Sequence, residues 1–344
     1  MHAIIIQNDR KGKRMKVQGI FYTIVSAVLF GITPLLATHI YALGTSPNTL
    51  VFMRALIVVP ILFLLMKKDH ESLKISRHEL LGIMIVTMLG NGLTTILLSV
   101  SYQYINVGIA TTLHFLYPIF VALLCRFVFR EKLGKQKLLA LTFAVFGILC
   151  FFDMSGGSSM LGLFLAAASG FTYAFYMVMI EKKGLIHMNP YKLSMYGAMF
   201  IVLETLLYHL ISPSLNFHLP IEAYGYMVVA AIISSFLAVV LLQRGIALLG
   251  STSASILCLF EPITAVVCGY FFLKEELTVM KVIGCIIIMA AVIILVFANK
   301  RPKGKAQEES QPMENTSADE EIRKADLDLK CREESDTEKN AASL

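Results

Sequence analysis

Between residues 17 and 298 the chain reads as a series of apolar stretches, each about as long as a bilayer is thick. A helix needs about 20 mostly apolar residues to cross the hydrocarbon layer. Ten stretches qualify: Val17–Ala42, Thr49–Met66, Leu80–Tyr102, Gly108–Phe129, Lys137–Phe152, Leu161–Ile180, Tyr191–Ile211, Tyr224–Gln243, Thr252–Leu273 and Lys281–Ala298. The fifth is the shortest. All are expected to be helices, because an open strand edge finds no partner in hydrocarbon. Of all residues, 56% are hydrophobic and 16% charged. A water-soluble fold of this length has no core large enough for that much apolar surface. The charge is also placed unevenly. Asn299–Leu344 carries nine basic and twelve acidic side chains. That composition predicts a disordered polar tail behind a membrane-embedded body.

Lysine and arginine set the orientation of such a body. With the N-terminus in the cytoplasm, the inside segments hold 22 of these residues, from Arg10 through Lys67, Lys68, Arg130, Lys182 and Arg244 to Lys305. The outside segments hold two, Lys274 and Lys281. This predicts a multi-pass protein of the cell membrane with both termini cytoplasmic. Residues 1–16 form a short N-terminal segment, with Met15 as a second potential start, and 299–344 the tail. The first apolar run is long enough to be a retained span and not a cleaved signal.

The chain also repeats itself. Shifted by 144, Ala110–Ala140 falls on Ala254–Gly284 with eight of 31 positions identical, among them Pro118 with Pro262 and Glu131 with Glu275. Shifted by 143, Gly19, Ser26 and Pro47 fall on Gly162, Ser169 and Pro190. The halves are 17–152 and 161–298. Each has five spans, an odd number, so the second must lie inverted in the membrane. The expected fold class is an all-α integral membrane protein of ten transmembrane helices, built as two inverted five-helix repeats. That plan recurs in secondary transporters with a site at the midplane.

Gly250–Pro262 reads GSTSASILCLFEP, Phe272–Leu277 reads FLKEEL, and Gly284 follows in the last span. Together they resemble the C-terminal signature of EamA-type carriers, in the drug/metabolite transporter superfamily. The first half has the matching form, Ala110 to Pro118 and then FREKL at Phe129–Leu133, and Arg54 matches an arginine common in the second span of that family. The resemblance covers about residues 17 to 298. It implies ten helices in a basket and a central cavity lined mainly by spans one, three, four, six, eight and nine. It also implies alternating access without ATP, most often exporting amino acids or related metabolites. The first half has Tyr117 where the second has Glu261.

Spacings of three or four place side chains on one helix face. Span three carries Asn91, Thr94, Thr95 and Tyr102, and span six Ser169, Thr172, Tyr173 and Tyr176. Span four carries Thr111, His114 and Tyr117, span nine Ser255, Cys258 and Glu261, and span one Thr23, Ser26, Phe30 and Thr33. From these stripes the expected solute contacts are Glu261, His114, Tyr117, Cys258, Asn91, Thr95, Tyr102, Tyr173, Tyr176 and Phe30. Small hydroxyl residues equally serve close helix packing, so the two readings stand side by side. Pro118, Pro262 and Arg54 are expected in structural or gating roles. Each proline removes a donor and frees a carbonyl one turn earlier. A charge at mid-span costs roughly 2.5–3.5 kcal/mol on insertion scales. Glu261 and His114 are therefore read either as proton carriers or as braces of the kink. Arg54 is read either as a bond to backbone near the outer face or as a catch for anionic cargo. Glu204 is read as structural.

Other chemistries find little support. The sequence has no H-E-x-x-H, no phosphate-binding glycine loop and no Cys/His metal spacing, and its six cysteines read as small apolar residues. No enzyme activity, cofactor, metal or nucleic acid is expected. The partners are a small-molecule solute, membrane lipid and, as coupling ion, the proton; a homodimer is left open. The competing readings are a receptor or scaffold signalling through its tail and, with less support, a membrane-embedded enzyme.

Overall fold

The computed structural model describes residues 2–105, 107–150, 159–274 and 276–300. Expectations for Glu275, for residues 151–158 and for the tail from 301 onward lie outside the described residues. Helices dominate, and no strand occurs among the described residues. In chain order they are α1 (His2–Ala42), α2 (Pro47–Lys68), α3 (Arg77–Ser101), α4 (107–128), α5 (Lys135–Leu149), α6 (Met160–Lys182), α7 (Pro190–Ile211), α8 (Ile221–Leu249), α9 (Ser251–Phe272) and α10 (Val279–Lys300). Nine of these segments, all but α5, are long and apolar enough to cross a membrane.

Local sequence sets their ends. Ser46 caps α2 by accepting from the Thr49 N–H, with Pro47 as first helical residue. Asn189 caps α7 through the Tyr191 N–H, with Pro190 first. Both pairings use a short polar side chain for an orphan donor, and a proline where no donor is needed. Ser76 and Glu79 close a capping box on α3. At the end of α8, Gly250 turns to φ +79°, its N–H donating to the Ile246 carbonyl at 2.8 Å.

Three boundaries differ most from the sequence reading, one of them the end of α8, which runs on to Leu249 past the expected Gln243. α1 runs unbroken from His2, so residues 2–16 continue the first span's helix; lysine, arginine and glutamine are good helix formers. α5 ends at Leu149 after 15 residues, short of the expected Phe152.

The backbone repeats with the sequence. α2 and α7 are both 22 residues long and start 143 positions apart. Wide π turns open at Thr87 in α3 and at Ala231 in α8, 144 apart. α4 breaks between His114 and Tyr117, and α9 between Leu257 and Phe260. Arg130 and Lys274, again 144 apart, both take the left-handed conformation, at φ 53° and 56°. The packing pairs follow the same rule. α1 lies on α8 and α9, and α6 lies on α3 and α4; α2 pairs with α7, α5 with α10, and α4 with α9. Exchanging the halves maps this set onto itself.

The largest buried cluster sits where α3, α4, α6, α8 and α9 meet, around Tyr117, Val121, Met177, Leu242 and Cys258. A polar group borders it. Lys182 at the end of α6 pairs with Glu131 beyond α4 and lies 3.4 Å from Glu181. Glu181 in turn accepts from the Ser251 N–H at 2.6 Å. Large apolar side chains such as Phe127 and Ile211 point outward, 73% and 84% exposed. That surface suits lipid.

α3 and α6 touch backbone to backbone at Gly90, where an added Cβ would lie 2.7 Å from Tyr176 Cβ and 3.0 Å from its Cα. Gly90→Val should therefore separate the two helices and cost about 1–3 kcal/mol. A lowered unfolding midpoint in detergent checks it, while Gly225→Val, in open space, should have little effect.

Candidate functional site

The helices surround a cavity of about 530 Å³. Its wall takes Phe30 and Thr33 from α1, Asn91, Thr95 and Tyr102 from α3, His114 from α4, Tyr173 and Tyr176 from α6, and Glu261 from α9. α2 and α7 also contribute, through Arg54 and Ser194 among others, so the wall is wider than the six spans implied by the family resemblance. Eight of the ten expected solute contacts thus share one wall with Arg54.

Tyr117 and Cys258 are the exceptions. Both lie in the packed cluster, at 0% and 1% exposure, and not on the wall. Steps of three assume a continuous helix. α4 and α9 are interrupted between those positions, so the face rotates across the break. The front of the α1 stripe also turns away. Thr23 donates to the Gly19 carbonyl and Ser26 to the Ala238 carbonyl of α8, both fully buried.

The breaks follow from Pro118 and Pro262, each in the first turn of the resumed helix. Pro118 offers no N–H to the His114 carbonyl. Gly170 lies against that oxygen instead; an added Cβ would stand 2.8 Å from it. Pro262 likewise offers none to Cys258, whose carbonyl accepts from the Glu261 N–H at 2.9 Å. Gly31 of α1 packs on the Glu261 carbonyl, where a Cβ would come within 2.6 Å.

Polar side chains on the wall and packed just behind it are mostly tied down. Ser169 gives its hydroxyl proton to the Ala166 carbonyl at 2.6 Å, and its oxygen lies 3.0 Å from His114 Nδ1. A hydroxyl has one proton, so Nδ1–H must be the donor in that contact and neutral His114 keeps Nε2 as an acceptor. Thr94 and Thr172 bond at 2.7 Å. Ser194 donates to Gln243 Oε1 at 3.2 Å, and Gln243 Nε2 to the Tyr176 hydroxyl at 3.4 Å. Around His114, Tyr117 and Tyr173 meet edge to face with centroids 4.8 Å apart, and Tyr173 stacks on Tyr176 at 6.1 Å. Glu204 is not on the wall; its carboxylate lies on Gly92 in the α3 π turn, with Oε2 buried and without a hydrogen bond.

Several wall residues escaped the stripe reading: Tyr41, Ser99, Ser194, Ser234, Ser235 and Gln243. The repeat carries a signal for one of them, Ser235, which is the equivalent of the expected Asn91. A shift of 144 takes the α3 wall positions Asn91, Thr95, Leu98 and Ser99 onto Ser235, Val239, Leu242 and Gln243. A shift of 143 takes Leu50, Val51, Arg54, Ala55 and Val58 onto Leu193, Ser194, Gly197, Ala198 and Ile201, all on the wall.

Ser169→Ala leaves His114 Nδ1 without its partner. The expected cost is about 1–3 kcal/mol, with loss of the pure Nδ1–H tautomer in the imidazole nitrogen NMR shifts. An unchanged tautomer signature would mean another group holds the ring.

The sequence model of the EamA-like transporter family matches the chain twice, over residues 17–152 and 160–297. The uncharacterized transporter YoaV of Bacillus subtilis (strain 168) is 25% identical over 251 residues, covering 70% of this chain and 84% of its own length. The uncharacterized transporter YcbK of the same strain is 24% identical over 290 residues, covering 79% and 90%. The uncharacterized inner membrane transporter YicL of Salmonella typhimurium is 24% identical over 299 residues, covering 83% and 97%. A solved crystal structure superposes with a TM-score of 0.67 at 13% identity, over 83% of this chain and 99% of its own. That likeness is one of fold.

Proposed function

Since the chain belongs to the EamA-like transporter family, matched over both halves, we propose that it is a secondary carrier. It moves a small organic solute, an amino acid or related compound, out across the cytoplasmic membrane by alternating access. The observation that carries this reading is the cavity, whose wall positions recur between the halves at the repeat offset. A pocket built on two matched halves can be exposed to either side by exchanging their conformations.

In this reading α5 makes a tenth crossing, and 17–152 and 161–298 are repeats of opposite orientation. The matched boundaries and the exchange of packing pairs support it. The excess of lysine and arginine at one set of loops supports cytoplasmic termini, with the tail on the same side. The wall runs up to Thr38 and Tyr41 at the end of α1 and to Tyr102 at the end of α3. Toward the Lys182–Glu131 pair the bundle is filled by Cys125, Met177 and Ile246. With the N-terminus inside, this is the conformation in which cargo leaves outward. Glu261 and His114, both on the wall, are the groups read as exchanging protons with the cargo cycle.

Three measurements test this. In proteoliposomes with an imposed pH gradient, the double variant Glu261→Gln, His114→Ala should lose at least tenfold of gradient-driven transport; unchanged coupling would remove the proton from the scheme. Deleting residues 303–344 should leave transport within twofold, whereas its loss would favour signalling through the tail. Reporter fusions at Glu131 and Glu275 should report opposite compartments, and the same compartment would end the inverted-repeat reading.

A further inference from the structure

The connection from α7 to α8, residues 212–220, is strapped across the start of α2. Ser214 holds it with all three of its polar groups. Its N–H donates to His209 Nδ1 at 2.9 Å, its carbonyl accepts from Ser46 Oγ at 2.5 Å, and its hydroxyl oxygen accepts from Asn48 Nδ2 at 2.8 Å. The Leu215 N–H also donates to His209 Nδ1, at 3.1 Å, and the Asn216 N–H to Thr49 Oγ1, at 2.9 Å. Phe217 meets Phe52 of α2 edge to face, with centroids 5.8 Å apart. The strap thus ties the last turn of α7, through His209, to the first turns of α2. These helices come from different halves and pack on each other. Both reach the cavity wall, α2 with Leu50 and Val51 and α7 with Ile201.

A ring nitrogen that accepts two N–H bonds carries no proton, so His209 is here the neutral Nε2–H form. A proton on Nδ1 takes away the lone pair that both amides use. The charged ring then has a competing partner in the last carbonyls of α7, at the negative end of that helix. The bonds from Ser46, Asn48 and Thr49 involve no titrating group, so the strap stays on α2 and parts from α7. The ion pairs found among the described residues do not involve His209. Of the titratable groups on neighbouring elements, Glu204 and Tyr208 lie on α7 and His218 on the strap. Glu222, Tyr224 and Tyr226 lie at the start of α8, Tyr102 and Tyr104 at the end of α3, and α2 has none before Arg54.

The other end of the bundle has the equivalent strap without the imidazole. The loop after α2 lies on the start of α7, where the Leu73 carbonyl accepts from the Tyr196 hydroxyl at 2.7 Å and the Lys74 carbonyl from Lys192 Nζ at 2.5 Å. A shift of 143 takes Leu73 and Lys74 onto Asn216 and Phe217, and Met66 onto His209. Two straps therefore bind α2 and α7 into one unit, and a histidine stands in the outer one only at this clasping position.

We infer that His209 makes the outer strap a clasp that external acid opens, and that opening it slows the carrier by parting α7 from α2 at the outer mouth. The inference rests on the carrier reading and orientation above and names a regulation of that site.

The test compares the unaltered full-length chain with His209→Asn, whose side-chain oxygen can accept the amides and cannot titrate. Backbone hydrogen exchange of residues 212–218, corrected for its intrinsic pH dependence, is read in detergent at about pH 7.5 and about pH 5.5, within the range where an imidazole can change its charge. Protection in the unaltered chain should fall at least fivefold on acidification and stay constant in His209→Asn. Constant protection in the unaltered chain, or an equal loss in His209→Asn, would overturn the inference. In proteoliposomes loaded with a whole-cell small-molecule extract, efflux by the two proteins is then compared with the bath at each pH. Their ratio cancels any driving force of the gradient itself. Efflux by the unaltered chain relative to His209→Asn should fall at least threefold in the acid bath, and an unchanged ratio would overturn the inference while leaving the carrier reading in place. No protein-dependent efflux from either protein would overturn the carrier reading and, with it, the regulation inferred here, whatever the exchange shows of the strap.

Discussion

A backbone carbonyl inside a bilayer has no water to bond, and every larger feature of this protein is arranged around that fact. Continuous helices satisfy it along most of the chain. It is relaxed at two places, where Pro118 and Pro262 withhold a donor and α4 and α9 break. Neither break faces lipid. Gly170 of α6 covers the His114 carbonyl and Gly31 of α1 covers that of Glu261. The same interruptions bring His114 and Glu261 to the cavity. Polar chemistry has thus been placed where the helix rule is suspended and protein shields the result.

The cavity combines a matched frame with unmatched contents. Leu50 and Leu193, Ala55 and Ala198, and Phe30 and Tyr173 are equivalent positions of similar shape on its wall. Arg54 against Gly197 and Thr33 against Tyr176 are equivalent positions of different chemistry. The frame is what the family match and the shared fold describe. Those differences give the wall two chemically distinct ends, which a fully matched wall would lack.

Much of the fold was legible because hydropathy reports span length directly, and because Pro47 and Pro190 mark helix starts by a local rule that needs no tertiary knowledge. The wall was legible where a stripe ran along an unbroken helix, as for Asn91 and Thr95 or Tyr173 and Tyr176. It failed at Tyr117 and Cys258, because a three-residue step loses its meaning across a helix break. The π turns of α3 and α8 left no trace in hydropathy, since one extra residue per turn changes no composition. Gln243 looked like the end of a span beside Arg244, yet the helix runs on to Leu249. Its partner 144 residues earlier, Ser99, is also on the wall and was missed with it.

α5 has a further consequence. It packs along α10, with Gly147 close enough to Ile288 that an added Cβ would come within 2.6 Å of the side chain. Leu138, Phe146 and Leu149 face away from the bundle and are exposed. Fifteen residues of helix rise only about 22 Å, against a hydrocarbon layer of about 30 Å. As the tenth crossing proposed above, α5 would be a rod too short for the acyl chains beside it, which would thin while the ammonium groups of Lys135 and Lys137 reach outward along their stems to the headgroups. On that proposal the protein would have a short side and a long side toward its lipids, and a thicker bilayer would strain it on one flank first.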